Sequence, residues 1–301
     1  MSPNNRPKKN SATRGPHGRK RAEANRTNLY LVGALIVVLL VLVAIRFLST
    51  PAAPTSQDGK PVAPALVSQL VAAARSPAGY SVAGGGTPPY TIAASTPTLK
   101  VGGKPALVFV GAEFCPYCAA LRWSLIIALS RFGSWQGLTY MTSSATDVYP
   151  NTHTFSFLKA RFQSPYLTFL SDEIEGNVAA SNGQYPLLQA PTQLESALLS
   201  KYDAAPYVQS TTSGGVPFVD VANRFIWGGS VYDPGLLAGL NWTQIGQDLA
   251  APGANAVSVA IMSNANLFTA GICKADGGQP ASVCQLPGIT QLEASLPPAG
   301  Q

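Results

Sequence analysis

The feature that most constrains this chain is a junction. The apolar run Ala106–Val110 leads through Gly111-Ala112-Glu113-Phe114 into Cys115-Pro116-Tyr117-Cys118, and then into a segment of helical period. An unbroken apolar run suits a strand in the middle of a sheet. Leu121, Leu125, Ala128, Leu129 and Phe132 recur at helical spacing, and Gly133 is a natural stop. "LTYMTSS" at 138–144 reads as a second strand. The order strand, CxxC, helix, strand predicts an α/β fold over residues 100–285.

The spacing also carries chemistry. Cys115 falls at a helix N-terminus, where unpaired N–H groups and the helix dipole stabilise an anion. That lowers a thiol pKa and makes the thiolate available as nucleophile. Pro116 suits the first turn, because its missing N–H has no partner there anyway. Cys118 lies one turn on, on the same face, from where it can attack a mixed disulfide on Cys115. The expectation is an exposed attacking Cys115 and a buried resolving Cys118, with Glu113 as a candidate for proton transfer to or from Cys118. The same thiols admit other readings: half of a zinc site, a structural disulfide, or a Cu(I) site. Zinc requires a second ligand pair. Cys273 and Cys284 have ten residues between them and follow no zinc-ribbon spacing. The only histidines are His17 and His153, which argues against a multi-His metal site and most His-dependent catalysis. Beyond Met1 there are only Met141 and Met262, so a Met-rich copper site is absent. Metal and cofactor are both expected to be none.

Cys273 and Cys284 flank the polar, turn-rich "KADGGQPASV" and read as a structural staple. The competing reading is a shuttle pair passing electrons to Cys115 and Cys118.

Charge places these cysteines. Residues 1–28 carry +7, and the remaining 273 carry −1. Leu29–Leu48 is apolar apart from Arg46. About 20 such residues span a bilayer core of about 30 Å. Arg46 can snorkel to the headgroups, and Tyr30 and Phe47 sit at interfacial positions. The positive-inside rule leaves 1–28 as a cytoplasmic tail and puts 49–301 outside the cell membrane. A cleaved signal peptide is the rival, but Pro51 and Pro54 interrupt the cleavage sites. The basic tail has no interleaved aromatics and abuts the span, which argues against nucleic-acid binding.

Residues 49–99 read as a Pro/Gly-rich linker with one possible short helix at Val62–Ala74. "THTFSFLKA" and "SPYLTFLSDEIEGN" read as strands or a hairpin. Thr192–Tyr202 and Asn241–Ala250 read as helices with capping boxes, Thr192 with Glu195 and Asn241 with Gln244. Asn241-Trp242-Thr243 therefore fits a cap better than a glycan site. Val216–Ile226 reads as strand, turn, strand, with Ala222-Asn223 at the turn, and a further helix runs from about Asn255 to Phe268. Residues 286–301 read as a tail. Pro217 opens its strand either through a cis bond or as an ordinary trans proline.

These residues resemble the thioredoxin-like superfamily: CPYC at a strand–helix turn, then "VPF" before a hairpin, then a closing helix. The resemblance implies a thioredoxin-like fold with an insertion between Tyr140 and Pro217. It also implies a cis Pro217 packed against the dithiol, with the Val216 backbone and Pro217 holding substrate cysteines. "GAEFCPYCAALRWSLIIALSRFG", "SSATDVYPNTHTFSF" and "SPYLTF" are similar, more narrowly, to the domain-of-unknown-function family 929, which holds membrane-anchored thioredoxin-like proteins. Arg122 and Trp123 belong to that motif without a role that the sequence supplies. The function expected is a membrane-anchored extracytoplasmic thiol-disulfide oxidoreductase acting on exported proteins with cysteines, alongside a membrane redox partner. The alternatives are a Cu(I) metallochaperone on the same thiols or a redox-inert scaffold.

Overall fold

The computed structural model describes residues 57–209, 211 and 213–297. The basic tail and the apolar run Leu29–Leu48 lie outside the described residues.

In chain order the elements are α1 (Pro64–Arg75), α2 (Pro77–Tyr80), β1 (Tyr90–Thr91), β2 (Lys100–Val101), β3 (Lys104–Gly111), α3 (Pro116–Leu129), β4 (Ser134–Gln136), β5 (Thr139–Thr142), β6 (His153–Ser156), β7 (Arg161–Gln163) and β8 (Thr168–Glu173). Then follow α4 (Gln193–Tyr202), β9 (Phe218–Val221), β10 (Phe225–Gly228), a 3-10 turn (Pro234–Leu237), α5 (Trp242–Ala250), α6 (Ala256–Asp276), α7 (Ala281–Cys284) and α8 (Pro287–Ser295).

The protein is a mixed α/β structure around a mixed sheet. The apolar run is β3, whose residues 106–111 are all buried. It pairs in parallel with β8, from Ala106 opposite Thr168 to Gly111 opposite Glu173. On its other side it pairs antiparallel with β9, which continues through β10 to the short edge strand β1. Ala222 and Asn223 join β9 to β10 with φ of 55° and 54°, the left-handed pair of a type I′ hairpin turn.

The second strand differs from its expected place. Residues 139–142 do form β5, but β5 pairs with β6, Thr139 opposite Ser156, in a separate two-stranded sheet, and its other edge bridges to Pro61 rather than to the central sheet. The crossover from α3 returns to the central sheet at β8. There Phe169 packs against the main core and Leu170 against the cluster that holds Leu194 and Leu198 of α4.

Both helices expected to carry capping boxes do so, Thr192 with Glu195 and Asn241 with Gln244. The helix expected from Asn255 runs on to Asp276, where Gly277 (φ 80°) ends it. It is the one helix among the described residues long and apolar enough to cross a membrane, and it is buried in the core of this domain. Its polar residues explain the burial. Asn266 Nδ2 donates to the carbonyls of Gly79 and Val82 at 2.9 and 2.7 Å, and Asn264 Oδ1 accepts from Thr87 N at 2.9 Å.

Those contacts fasten the segment read as a linker onto the domain. Leu66, Leu70, Ala73 and Ala74 of α1 are buried. Arg131 on the turn after α3 donates to Ala74 O at 3.0 Å and to Thr269 Oγ1 at 2.7 Å, with its guanidinium over the Tyr80 ring. The tail segment likewise supplies α8, with Ile289 buried in the same core.

Candidate functional site

Pro116 starts α3, and Cys115 is its N-cap residue in an extended conformation. Cys115 Sγ accepts from the Cys118 amide at 3.3 Å. This is the cap interaction that Ser or Asp makes elsewhere, here made by sulfur. The Cys115 thiol lies 3.7 Å from the carbonyl oxygen of Val216, to which it donates. The Val216–Pro217 bond is cis. Residues 101 apart in sequence thus meet at the dithiol because β9 lies beside β3.

The two thiols are unlike. Cys115 is held below the usual thiol range, chiefly by the Cys118 thiol beside it and further by the Cys118 amide and the Arg122 charge, which outweigh the opposing effect of burial. Cys118 is pushed well above that range by burial, and the neighbouring Cys115 raises it further. Of the two, Cys115 is the more readily ionised.

Cys115 is not exposed, which corrects the sequence expectation. It is 4% accessible and Cys118 is fully buried. Ala112 and the two cysteines form a small apolar cluster against which Phe114, Tyr117, Ile174 and Val216 pack. The covering comes from the insertion. Ile174 N bonds Gly111 O and Glu113 N bonds Glu175 O, both at 2.8 Å, so the chain beyond β8 runs on beside the dithiol loop. Tyr185 stacks on Phe114 at 4.2 Å, and its hydroxyl donates to Ser144 Oγ at 2.8 Å. Tyr149 meets Tyr117 edge-on at 6.0 Å.

Glu113 is buried, and its Oε1 accepts from Ser156 Oγ at 2.5 Å. Burial raises its pKa, and the Ser156 hydrogen bond pulls it part of the way back. It lines a cavity of about 260 Å³ together with Asp58, Met141, Ser156 and Lys159.

Arg122, which the sequence left without a role, pairs with Glu173, which the sequence did not single out. Both side chains are fully buried and paired. Arg122 Nε donates to Glu173 Oε1 at 2.9 Å, and Nη2 donates to Glu173 Oε2 at 2.5 Å and to Ala112 O at 2.9 Å. Arg122 is the only charged residue between Phe114 and Ser130, and that lone charge in an apolar helix was the available signal. Trp123 now has a structural place: its indole N–H donates to His153 O at 2.9 Å, and its ring packs on Phe155.

Cys273 and Cys284 form a disulfide, with Cα atoms 5.5 Å apart. It ties the end of α6 to α7, as the staple reading expected.

The fold and site define a mixed α/β protein with a buried, reduced CPYC dithiol at a helix N-terminus. No curated protein and no solved structure matches the chain. The model of one family, Domain of unknown function (DUF929), matches residues 90–274, so the chain belongs to that family. The match takes in the dithiol, Arg122, Glu173 and Pro217.

Proposed function

We propose that this chain is a membrane-anchored extracytoplasmic thiol-disulfide oxidoreductase with a thioredoxin-like domain. The observation that carries the reading is the unlike pair of thiols at the N-terminus of α3, Cys115 lowered and Cys118 raised. The arrangement of β3, α3 and parallel β8, followed by antiparallel β9 and β10, supports the thioredoxin-like reading.

The Cys115 thiolate attacks a substrate disulfide. A mixed disulfide forms, and one substrate sulfur leaves as thiolate and takes a proton. Cys118 then loses its proton and attacks Cys115 Sγ, which releases the second substrate sulfur. The substrate gains two electrons and two protons, and Cys115–Cys118 becomes a disulfide. Run backwards, the same steps oxidise a substrate dithiol. Glu113, with its raised pKa, serves as the proton carrier for this region. The Val216 carbonyl, freed when the Cys115 thiol ionises, becomes an acceptor for a substrate N–H, with Pro217 as the adjoining apolar surface. Substrates are exported proteins with cysteines, and a membrane redox partner returns the dithiol to its starting state.

The anchor is Leu29–Leu48, oriented by the basic residues before it. The test is the reduction potential of Cys115–Cys118 in the full chain in detergent micelles, by glutathione titration with alkylation trapping. A value of about −120 to −180 mV makes it an oxidase or isomerase, and one below about −230 mV a reductant. A pair that never exchanges overturns the reading.

A further inference from the structure

We propose that the buried Arg122–Glu173 pair sets the redox poise of the dithiol: Arg122 is a positioning residue that stabilises thiolate on Cys115–Cys118, and Glu173 limits how far it does so. The inference rests on the oxidoreductase reading above.

A fully buried ion pair is a weak way to gain stability, because both charges are desolvated, and apolar residues of similar size often serve as well. Its place therefore calls for another explanation. Arg122 lies four residues beyond Cys118 on α3, one turn along the same helix face. Its Nη2 also holds the carbonyl of Ala112, the residue that packs in one apolar cluster with both sulfurs. The guanidinium is thus fixed at the back of the dithiol loop. Glu173 is bound in turn by the Phe157 amide at 3.1 Å, so neither partner is free to swing away. Arg122 Nη1 is buried and has no hydrogen-bond partner among the described residues. An unpaired buried donor is costly, and it leaves positive charge directed at something other than Glu173. The Arg122 charge favours the thiolate at both Cys115 and Cys118. Glu113 and Glu173 are the acidic groups acting on Arg122 from the surrounding elements.

Oxidising the dithiol forms the Cys115–Cys118 bond and releases two electrons and two protons. In the titration the electrons go to glutathione disulfide, which becomes two thiols. Thiolates exist only in the reduced form. A cation that favours them therefore stabilises the reduced form and makes the pair more oxidising.

The test uses the full chain in detergent micelles, with Arg122→Gln, Arg122→Lys, Glu173→Gln and the double variant Arg122→Gln/Glu173→Gln. Arg122→Gln shifts the glutathione equilibrium about tenfold toward the disulfide, about 30 mV more negative. It also slows iodoacetamide alkylation at pH 7 by roughly three- to tenfold. Glu173→Gln unmasks the cation and shifts both readings the other way. Arg122→Lys keeps the charge and stays within about twofold of the parent, on the scale of that tenfold shift. The double variant leaves no buried charge behind and supplies the Arg122 reading if Arg122→Gln does not fold. A purely structural role lowers stability in every variant without opposite shifts in potential. Variants all within twofold of the parent, or single variants that shift the same way, overturn the inference. A parent pair that never exchanges overturns the oxidoreductase reading beneath it.

Discussion

The two cysteine pairs occupy opposite ends of helices, and their chemistry follows. Cys115 caps the start of α3, where its sulfur takes an amide hydrogen bond. Cys273 lies in the last turn of α6, where its carbonyl accepts from the Gly277 and Gly278 amides that end the helix. A thiolate gains from the positive end of a helix dipole and loses at the negative end. Near-complete burial is common to both pairs, so burial does not distinguish them. What separates them is the helix end and the sign of the charge nearby: the Arg122 cation behind the first pair, and the Glu293 carboxylate within 4.8 Å of the sulfurs of the second. The first pair can hold a negative sulfur, whereas the second is bonded and so has no thiol to ionise.

The sharpest way to break this comparison is to remove one cysteine at a time. Cys115→Ser abolishes exchange with glutathione, and Cys118→Ser stalls as a mixed disulfide on Cys115, read by mass spectrometry. Cys273→Ser leaves exchange at Cys115 intact. Loss of exchange in Cys273→Ser would instead make the second pair an electron shuttle.

Next in size is the staple's effect on stability. The disulfide joins two cysteines eleven positions apart in sequence, and its removal costs about 3 kcal/mol in the chain-entropy picture. Denaturant unfolding of Cys273→Ser/Cys284→Ser measures this. Unfolding unchanged from the parent would show that α6 and α7 are held by packing alone.

Those contrasts were partly legible in the sequence. Caps and turns are local, so Asn241 with Gln244, Thr192 with Glu195 and the Ala222-Asn223 turn could be read from a few residues. The N-terminal position of Cys115 was legible for the same reason. The pairing of β3 with β8 was not, because the nearer candidate, 139–142, has an equally strand-like pattern, and long-range contacts decide between them. Burial of Cys115 depends on Ile174 and Val216, both distant in sequence. The partner of Arg122 stands 51 residues away on β8, so only the oddity of its charge could be noticed.

A third contrast concerns pH. Beside the dithiol strand, burial pushes Asp172 and Asp220 up to about 7, while Asp276 near the staple is raised to about 6. Asp220 faces Val108, and Asp172 faces Val110. Their folded pKa values lie above the unfolded ones, so the folded state keeps protons that the unfolded state releases. The stability they contribute is complete below about pH 4 and is lost as pH rises through 6 to 7. Each proton contributes a slope of up to about 1.4 kcal/mol per pH unit. Urea unfolding between pH 5 and 8 should show stability falling, and Asp220→Asn should flatten the fall. A slope unchanged in Asp220→Asn would remove Asp220 from this account.

The smallest effect tests why Cys115 is buried at all. The Phe114–Tyr185 stack and the Tyr185–Ser144 hydrogen bond join the insertion to the dithiol loop. An aromatic pair of this kind contributes about 0.5–1.5 kcal/mol beyond its area. Losing it raises the population of an opened loop by roughly two- to tenfold. Tyr185→Ala therefore speeds alkylation of Cys115 by that factor while leaving its pH midpoint unchanged, because neither Arg122 nor the α3 N-terminus moves. Arg122→Gln does the reverse, shifting the midpoint with the loop still closed. If Tyr185→Ala moves the midpoint instead, the covering loop takes part in the electrostatics of the thiol, and access and ionisation at this site are not separate.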